Sequence, residues 1–161
     1  AGLGVLNDEG EVLTLNVRIK RHNITGLSTV EVASNNAKKL NEEFVNYFNT
    51  KNLKYKSFIL QGEEAKLNAL TKLLKQHDIK YSYANTKSVS GFKYSENKKG
   101  SMSTSEKDIV VSTNQPKGKL VSVLFEPNGK LTDSLTYDIT AWSLPYAYGV
   151  EAIASSSETP K

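Results

Sequence analysis

The chain contains no cysteine. That absence removes a disulfide scaffold, a thiolate zinc site, an iron–sulfur cluster and a cysteine nucleophile together. Histidine is almost as scarce. His22 and His77 are the only two, which leaves little material for metal ligation or general-base chemistry. Arginine is confined to Arg18 and Arg21. Specific phosphate and base readout favours arginine's bidentate fork, and the scattered lysines have the pattern of a solvated surface, so no nucleic-acid partner is expected. No stretch approaches the ~18 apolar residues of a membrane span, and no membrane partner is expected. The first residues show neither a basic nor an apolar leader segment, so no signal peptide is visible.

What remains describes a globular domain. The 161 residues are 38% hydrophobic and 24% charged, with 21 basic and 17 acidic side chains for a net charge of +4. A chain near this length buries roughly 70% of its unfolded surface and folds without metal or disulfide staples. Ala1-Gly2-Leu3-Gly4 lacks a methionine, and the tail from Ser155 to Lys161 reads as a linker or disordered tail. Both ends therefore look cut from a longer chain.

Apolar periodicity organises the interior. Val5 to Val12 reads as a strand or hairpin turned at Asn7-Asp8-Glu9-Gly10. Leu15, Ile19, His22, Gly26, Val30, Ala33, Ala37, Leu40, Phe44 and Phe48 then fall at steps of three or four, which predicts one buried helix face. Thr14 is placed to cap its start, and Ser34-Asn35-Asn36 is a weak point where it breaks in two. Next comes a β-α-β pattern: a strand over Tyr55–Leu60, a turn at Gln61-Gly62, a helix over Glu63–His77 and a strand over Ile79–Ala84. Val89–Tyr94 reads as another strand, and polar Ser95–Glu106 as an exposed hairpin tip or mobile loop. Asp108–Thr113 is a further strand. Pro116 fits the first position of a helix over Leu120, Val121, Leu124 and Phe125, which Pro127 stops. Asp138 reads as the N-cap of a short helix through Trp142 and Leu144, closed at Gly149. The expected fold is α/β, an N-terminal long helix or helix pair followed by β-α-β units in a small mixed or mostly parallel sheet. Residues 1–50 form the helical segment, 51–154 an α/β domain and 155–161 the tail.

Few residues offer chemistry. Neither histidine sits in His-x-x-Glu or His-Glu-x-x-His spacing, no Gly-x-Ser-x-Gly elbow occurs, and Gly2-Leu3-Gly4 precedes a strand and has Asn7 where a third glycine belongs. Glu63 and Glu64 would repel an anion at the Gln61-Gly62 turn. The Thr113–Lys119 turn is more permissive. Asn114, Gln115, Lys117 and Lys119 surround a helix start there, a possible seat for a peptide or small anionic ligand. Tyr137, Trp142, Tyr146 and Tyr148 read either as a ligand platform or as a lid on the core. Glu126 and Asp138 are candidate paired carboxylates, though capping explains Asp138 more simply.

Three stretches taken together resemble the region after the catalytic centre in large bacterial members of the zinc carboxypeptidase family, the carboxypeptidase A-like metallopeptidases. They are Gly2–Leu6 with Leu13-Thr14-Leu15, Arg18-Ile19 and His22; Gln115-Pro116-Lys117-Gly118-Lys119-Leu120-Val121 with Leu124-Phe125-Glu126-Pro127; and Tyr137-Asp138-Ile139-Thr140-Ala141-Trp142-Ser143-Leu144-Pro145, ending in Gly149–Ala152. Gln115, Pro116, Glu126, Pro127, Asp138, Thr140, Trp142 and Pro145 carry most of the likeness. The resemblance implies that the zinc ligands and catalytic glutamate lie upstream, so none is carried onto this chain and no cofactor is expected in it; the zinc belongs to the parent. Residues 1–50 would then end the peptidase domain, and the remainder would be a non-catalytic accessory domain partnered by that domain, in a parent exported to the periplasm or beyond. A peptide- or glycan-binding module is the alternative, and an independent hydrolase a second one.

Overall fold

A computed structural model of the chain describes residues 4–128 and 143–160. It divides into two compact units, residues 1–46 and 47–161. The first opens with a hairpin of β1 (Gly4–Leu6) and β2 (Val12–Thr14), paired antiparallel from Gly4↔Thr14 to Leu6↔Val12. Gly10 takes φ 81° in its turn, a left-handed conformation that glycine adopts without steric cost. Helix α1 (Leu15–Asn35) follows, and the Thr14 hydroxyl accepts from the Val17 N–H at its start. Asn36 separates it from α2 (Ala37–Tyr47), at the polar break read from sequence. The apolar stripe is not buried, contrary to expectation. No residue of α1 or α2 is buried, and Leu27 and Val30 stand 64% and 67% exposed.

The second unit is built around a six-stranded sheet of order β4-β7-β3-β8-β5-β6. Strand β3 (Ser57–Gln61) leads into α3 (Glu64–Gln76) and on to β4 (Ser82–Tyr83). The hairpin strands β5 (Ser88–Lys93) and β6 (Lys98–Ser103) come next, then β7 (Ile109–Ser112), α4 (Gly118–Leu124), α5 (Leu144–Tyr148) and β8 (Glu151–Ser155). Every ladder is antiparallel. This corrects the expected mixed or mostly parallel sheet. The β3-α3-β4 crossover does return the chain in the same direction, but β7 inserts between the two strands and pairs antiparallel with both, a split β-α-β arrangement. β8 then takes the other edge of β3, from Ser57↔Ser155 to Gln61↔Glu151.

The sheet buries both faces. On one, Leu67, Leu70 and Leu74 of α3, Val121 of α4 and Phe125 just after it cover Phe58, Leu60, Ile109, Val111 and Ala152. Each buried leucine contributes about 2 kcal/mol, and Phe58 stacks on Phe125 with ring centroids 5.3 Å apart. On the other face, Ile59, Val110 and Ile153 pack with Val89 and Met102 of the β5–β6 hairpin. The sheet curls to achieve this: Gln61 on β3 donates to the Ser103 carbonyl at the end of β6, although the two strands are not neighbours.

Two further expectations change. Ser95–Glu106 is not a loop throughout, since β6 occupies its centre and buries Met102. Its lysines, serines and glycine suit an edge strand, where polar side chains discourage pairing with another chain. The tail is not a free linker either. Ser157 and Thr159 bond the Ser57 hydroxyl, the Ser112 hydroxyl donates to Glu158, and the Pro160 carbonyl accepts from the Asn85 N–H. Ser112, Ser57 and Ser155 form one row across β7, β3 and β8, and Thr159 is buried beside it.

Candidate functional site

The turn before α4 was the expected ligand seat, and its geometry is explicit. Gln115 to Gly118 makes a β-turn with Pro116 in its second position, closed by a Gly118 N–H to Gln115 carbonyl bond of 2.8 Å. Lys117 has φ −86° and ψ 13°, as the third residue of a type I turn requires. Pro116 therefore sits in the turn and not in the helix, which starts at Gly118. Glycine is needed there, because a Cβ would strike the Thr113 carbonyl and Thr50.

The side chains at this turn are already engaged. The Gln115 amide donates to the carbonyls of Lys80 and Ser112 at 3.0 and 2.6 Å, and its oxygen accepts from the Lys80 N–H at 2.8 Å. Gln115 thus ties the segment entering β4 to the end of β7. The Lys119 ammonium lies 5.0 Å from the centre of the Tyr47 ring. Asn114 and Lys117 are exposed, and the Asn114 N–H bonds the Ser112 hydroxyl. Helix α4, with seven residues, offers only a weak dipole to an anion. The signal for Gln115's clamping role was absent from local sequence, since its partner lies 35 positions earlier.

Other candidates are dispersed. His22 is exposed on α1, and His77 caps α3, its N–H shared between the Leu73 and Leu74 carbonyls. Pro127 and Pro145 are buried, and Glu126 is exposed. Tyr137, Asp138, Thr140 and Trp142 lie outside the described residues, as does the expected Asp138 cap. In the rest of the aromatic segment Tyr148 is half-buried and Tyr146 is 51% exposed. Tyr148 rests against the core, and Tyr146 lies 5.3 Å from the Tyr94 ring and donates to the Tyr94 carbonyl. The Tyr94 hydroxyl in turn donates to the Phe125 carbonyl, and burial, then the neighbouring Tyr146, pushes that phenol well above its ordinary value. Gly149 ends α5 at φ 59°, as its position predicted.

A cleft of ≈ 580 Å³ opens where β3 and β4 end and α3 begins, lined by Glu64, Asn68, Tyr83, Glu106 and Lys107 among others. Its charges are of both signs and converge on no single ligand chemistry. Among the described residues, no group of three or more His, Asp or Glu is placed to hold a metal ion, and no helix is long and apolar enough to cross a membrane. Comparison of the chain with family models, curated proteins and solved structures finds no match in any of the three.

Proposed function

We propose that the chain is the post-catalytic part of a zinc carboxypeptidase-like protein, with residues 1–46 the closing segment of a peptidase domain and the sheet unit a non-catalytic accessory domain. One observation carries this reading. The first unit repeats apolar residues at helical spacing over α1 and α2, yet buries none of them. Leu15, Ile19, Leu27, Val30, Leu40 and Phe44 are all large and all at least 47% exposed. An exposed apolar array of this extent marks a surface that belongs against another body. A helix pair of this size has too little core of its own to be stable in water. The likeness of Leu13–Leu15, Arg18-Ile19 and His22 to the end of a peptidase domain supplies the body's identity: the domain that precedes it in the parent.

Hydrogen exchange tests this on the chain alone and on the chain joined to its parental peptidase domain. Amides of residues 15–46 should exchange freely in the first and become protected in the second. Strong protection of those amides in the monomeric chain alone would overturn the reading. So would peptidase activity of this chain by itself.

A further inference from the structure

The β5–β8 ladder ends at Phe92↔Ala154, and the strands part beyond it. A groove of ≈ 460 Å³ lies over the fork. The pairing registers order its floor. Lys99, Phe92 and Ala154 form one transverse row across β6, β5 and β8, continued on β3 by the fully buried Phe58. Tyr55, half-buried and three residues before Phe58 on the chain, has its ring 6.0 Å from Phe58 and the Lys54 ammonium 4.8 Å from its centre. Lys54 and Lys99 both line the groove. Two residues along the strands comes a row of hydroxyls: Ser101 bonded to Ser90 at 2.9 Å, then Ser156 across the fork.

Between the rows the floor is bare backbone. Gly91 and Gly100 are cross-strand partners, and a Cβ on Gly91 would strike the Ala154 carbonyl. No carboxylate lines it, and neither Lys54 nor Lys99 has an ion pair among the described residues. The nearby Glu96 is held instead by Lys93 and Lys98. The site thus combines half-buried ring surface, hydroxyl groups on one side and two ammonium groups with no carboxylate among the lining residues.

We propose that this groove binds an acidic oligosaccharide laid across the strands. Sugar faces rest on Phe92 and Tyr55, ring hydroxyls bond Ser90 and Ser156, and carboxylates meet Lys99 and Lys54. A small apolar platform with a few placed polar groups is the usual make-up of a ligand site. Two ammonium groups without a counter-ion favour an anionic ligand over a neutral one of the same shape. This site is distinct from the α4 turn and does not depend on the parent's identity.

Calorimetry of the full chain with oligogalacturonate, at low and moderate salt, tests the proposal. Binding is expected, weakening as salt rises. A neutral galacto-oligosaccharide of equal length should bind far more weakly. The double substitution Lys54→Ala, Lys99→Ala removes only exposed side chains and should weaken binding about tenfold or more. Phe92→Leu, which keeps an apolar group against the core, should weaken it by a smaller factor. Absence of oligogalacturonate binding would overturn the proposal. So would affinity unchanged in the double variant, or a poly-glutamate peptide that binds as tightly and ignores Phe92→Leu, since the last result marks a generic acidic-peptide surface.

Discussion

Helix α1 and helix α3 carry apolar residues at the same spacing, and only α3 buries them. Leu67, Leu70 and Leu74 of α3 are at most 8% exposed, because β3 and β7 present Phe58, Leu60, Ile109 and Val111 beneath them. No residue of α1 is buried. Periodicity therefore states which face is apolar, and burial depends on a second element that the helix itself does not encode. The contrast also separates two kinds of stability. The sheet unit holds its own core on two faces, whereas the helical unit holds periodicity without a core.

The sharpest way to break this comparison is to truncate one apolar side chain in each unit. Phe58→Ala removes a fully buried ring stacked on Phe125 and should cost about 3–5 kcal/mol, read from urea unfolding of the sheet unit. Leu27→Ala should change the same transition by less than about 0.5 kcal/mol, since Leu27 is exposed. Comparable losses would show that α1 has a buried partner and that the contrast is false.

Removal of residues 157–161 tests how far the sheet unit extends. The bonds to Ser57, Ser112 and Asn85 would go, and the serine row would lose its cover. Net hydrogen bonds contribute roughly 0.5–1.5 kcal/mol each, offset by the freedom that the tail regains, so the expected loss is about 2 kcal/mol. An unchanged unfolding midpoint would return these residues to the status of a linker.

High pH should act on the sheet unit as well. Burial raises the Tyr94 phenol above its unfolded value of 10, so the folded state favours the neutral form. Its contribution is fully present below pH 10. Above that, the unfolded chain releases the proton first, and stability falls by up to about 1.4 kcal/mol per pH unit. Tyr94→Phe should flatten that slope. An equally steep slope in the variant would assign the loss to other groups.

These contrasts also explain what was legible from sequence. Thr14, the break at Asn36, the α3 stripe and the Gly149 stop are local signals, each written within a few residues of its effect. Strand order is not local. β7 enters between β3 and β4 from a segment about 50 positions after β3, and nothing within the β-α-β pattern announces it. β6 was hidden for a different reason: an edge strand is polar by design, so Lys98 to Ser103 looks like loop. The tail's serines and threonine looked like linker for the same reason, because polar residues that bond a buried serine row resemble those that bond water. At the α4 turn, residue types suggested an anion seat. Long-range partners at Lys80 and Tyr47 decide what Gln115 and Lys119 do.

The smallest effect addresses the helical unit alone. Thr14 has extended backbone at φ −73° and ψ 160°, and its hydroxyl accepts from the Val17 N–H at 3.3 Å. A threonine cap typically contributes about 1 kcal/mol. This bond is long and exposed, so Thr14→Ala should cost about 0.5 kcal/mol of local helix stability. The loss would be read as faster exchange in the first turns of α1 and slightly lower helicity by circular dichroism. Thr14→Ser should restore both. The unfolding midpoint of the sheet unit should not move, because Thr14 belongs to the other compact unit. A midpoint shift in that unit with Thr14→Ala, reversed by Thr14→Ser, would mean that the helical unit and the sheet unfold together, and the comparison between α1 and α3 would need a shared core to explain it.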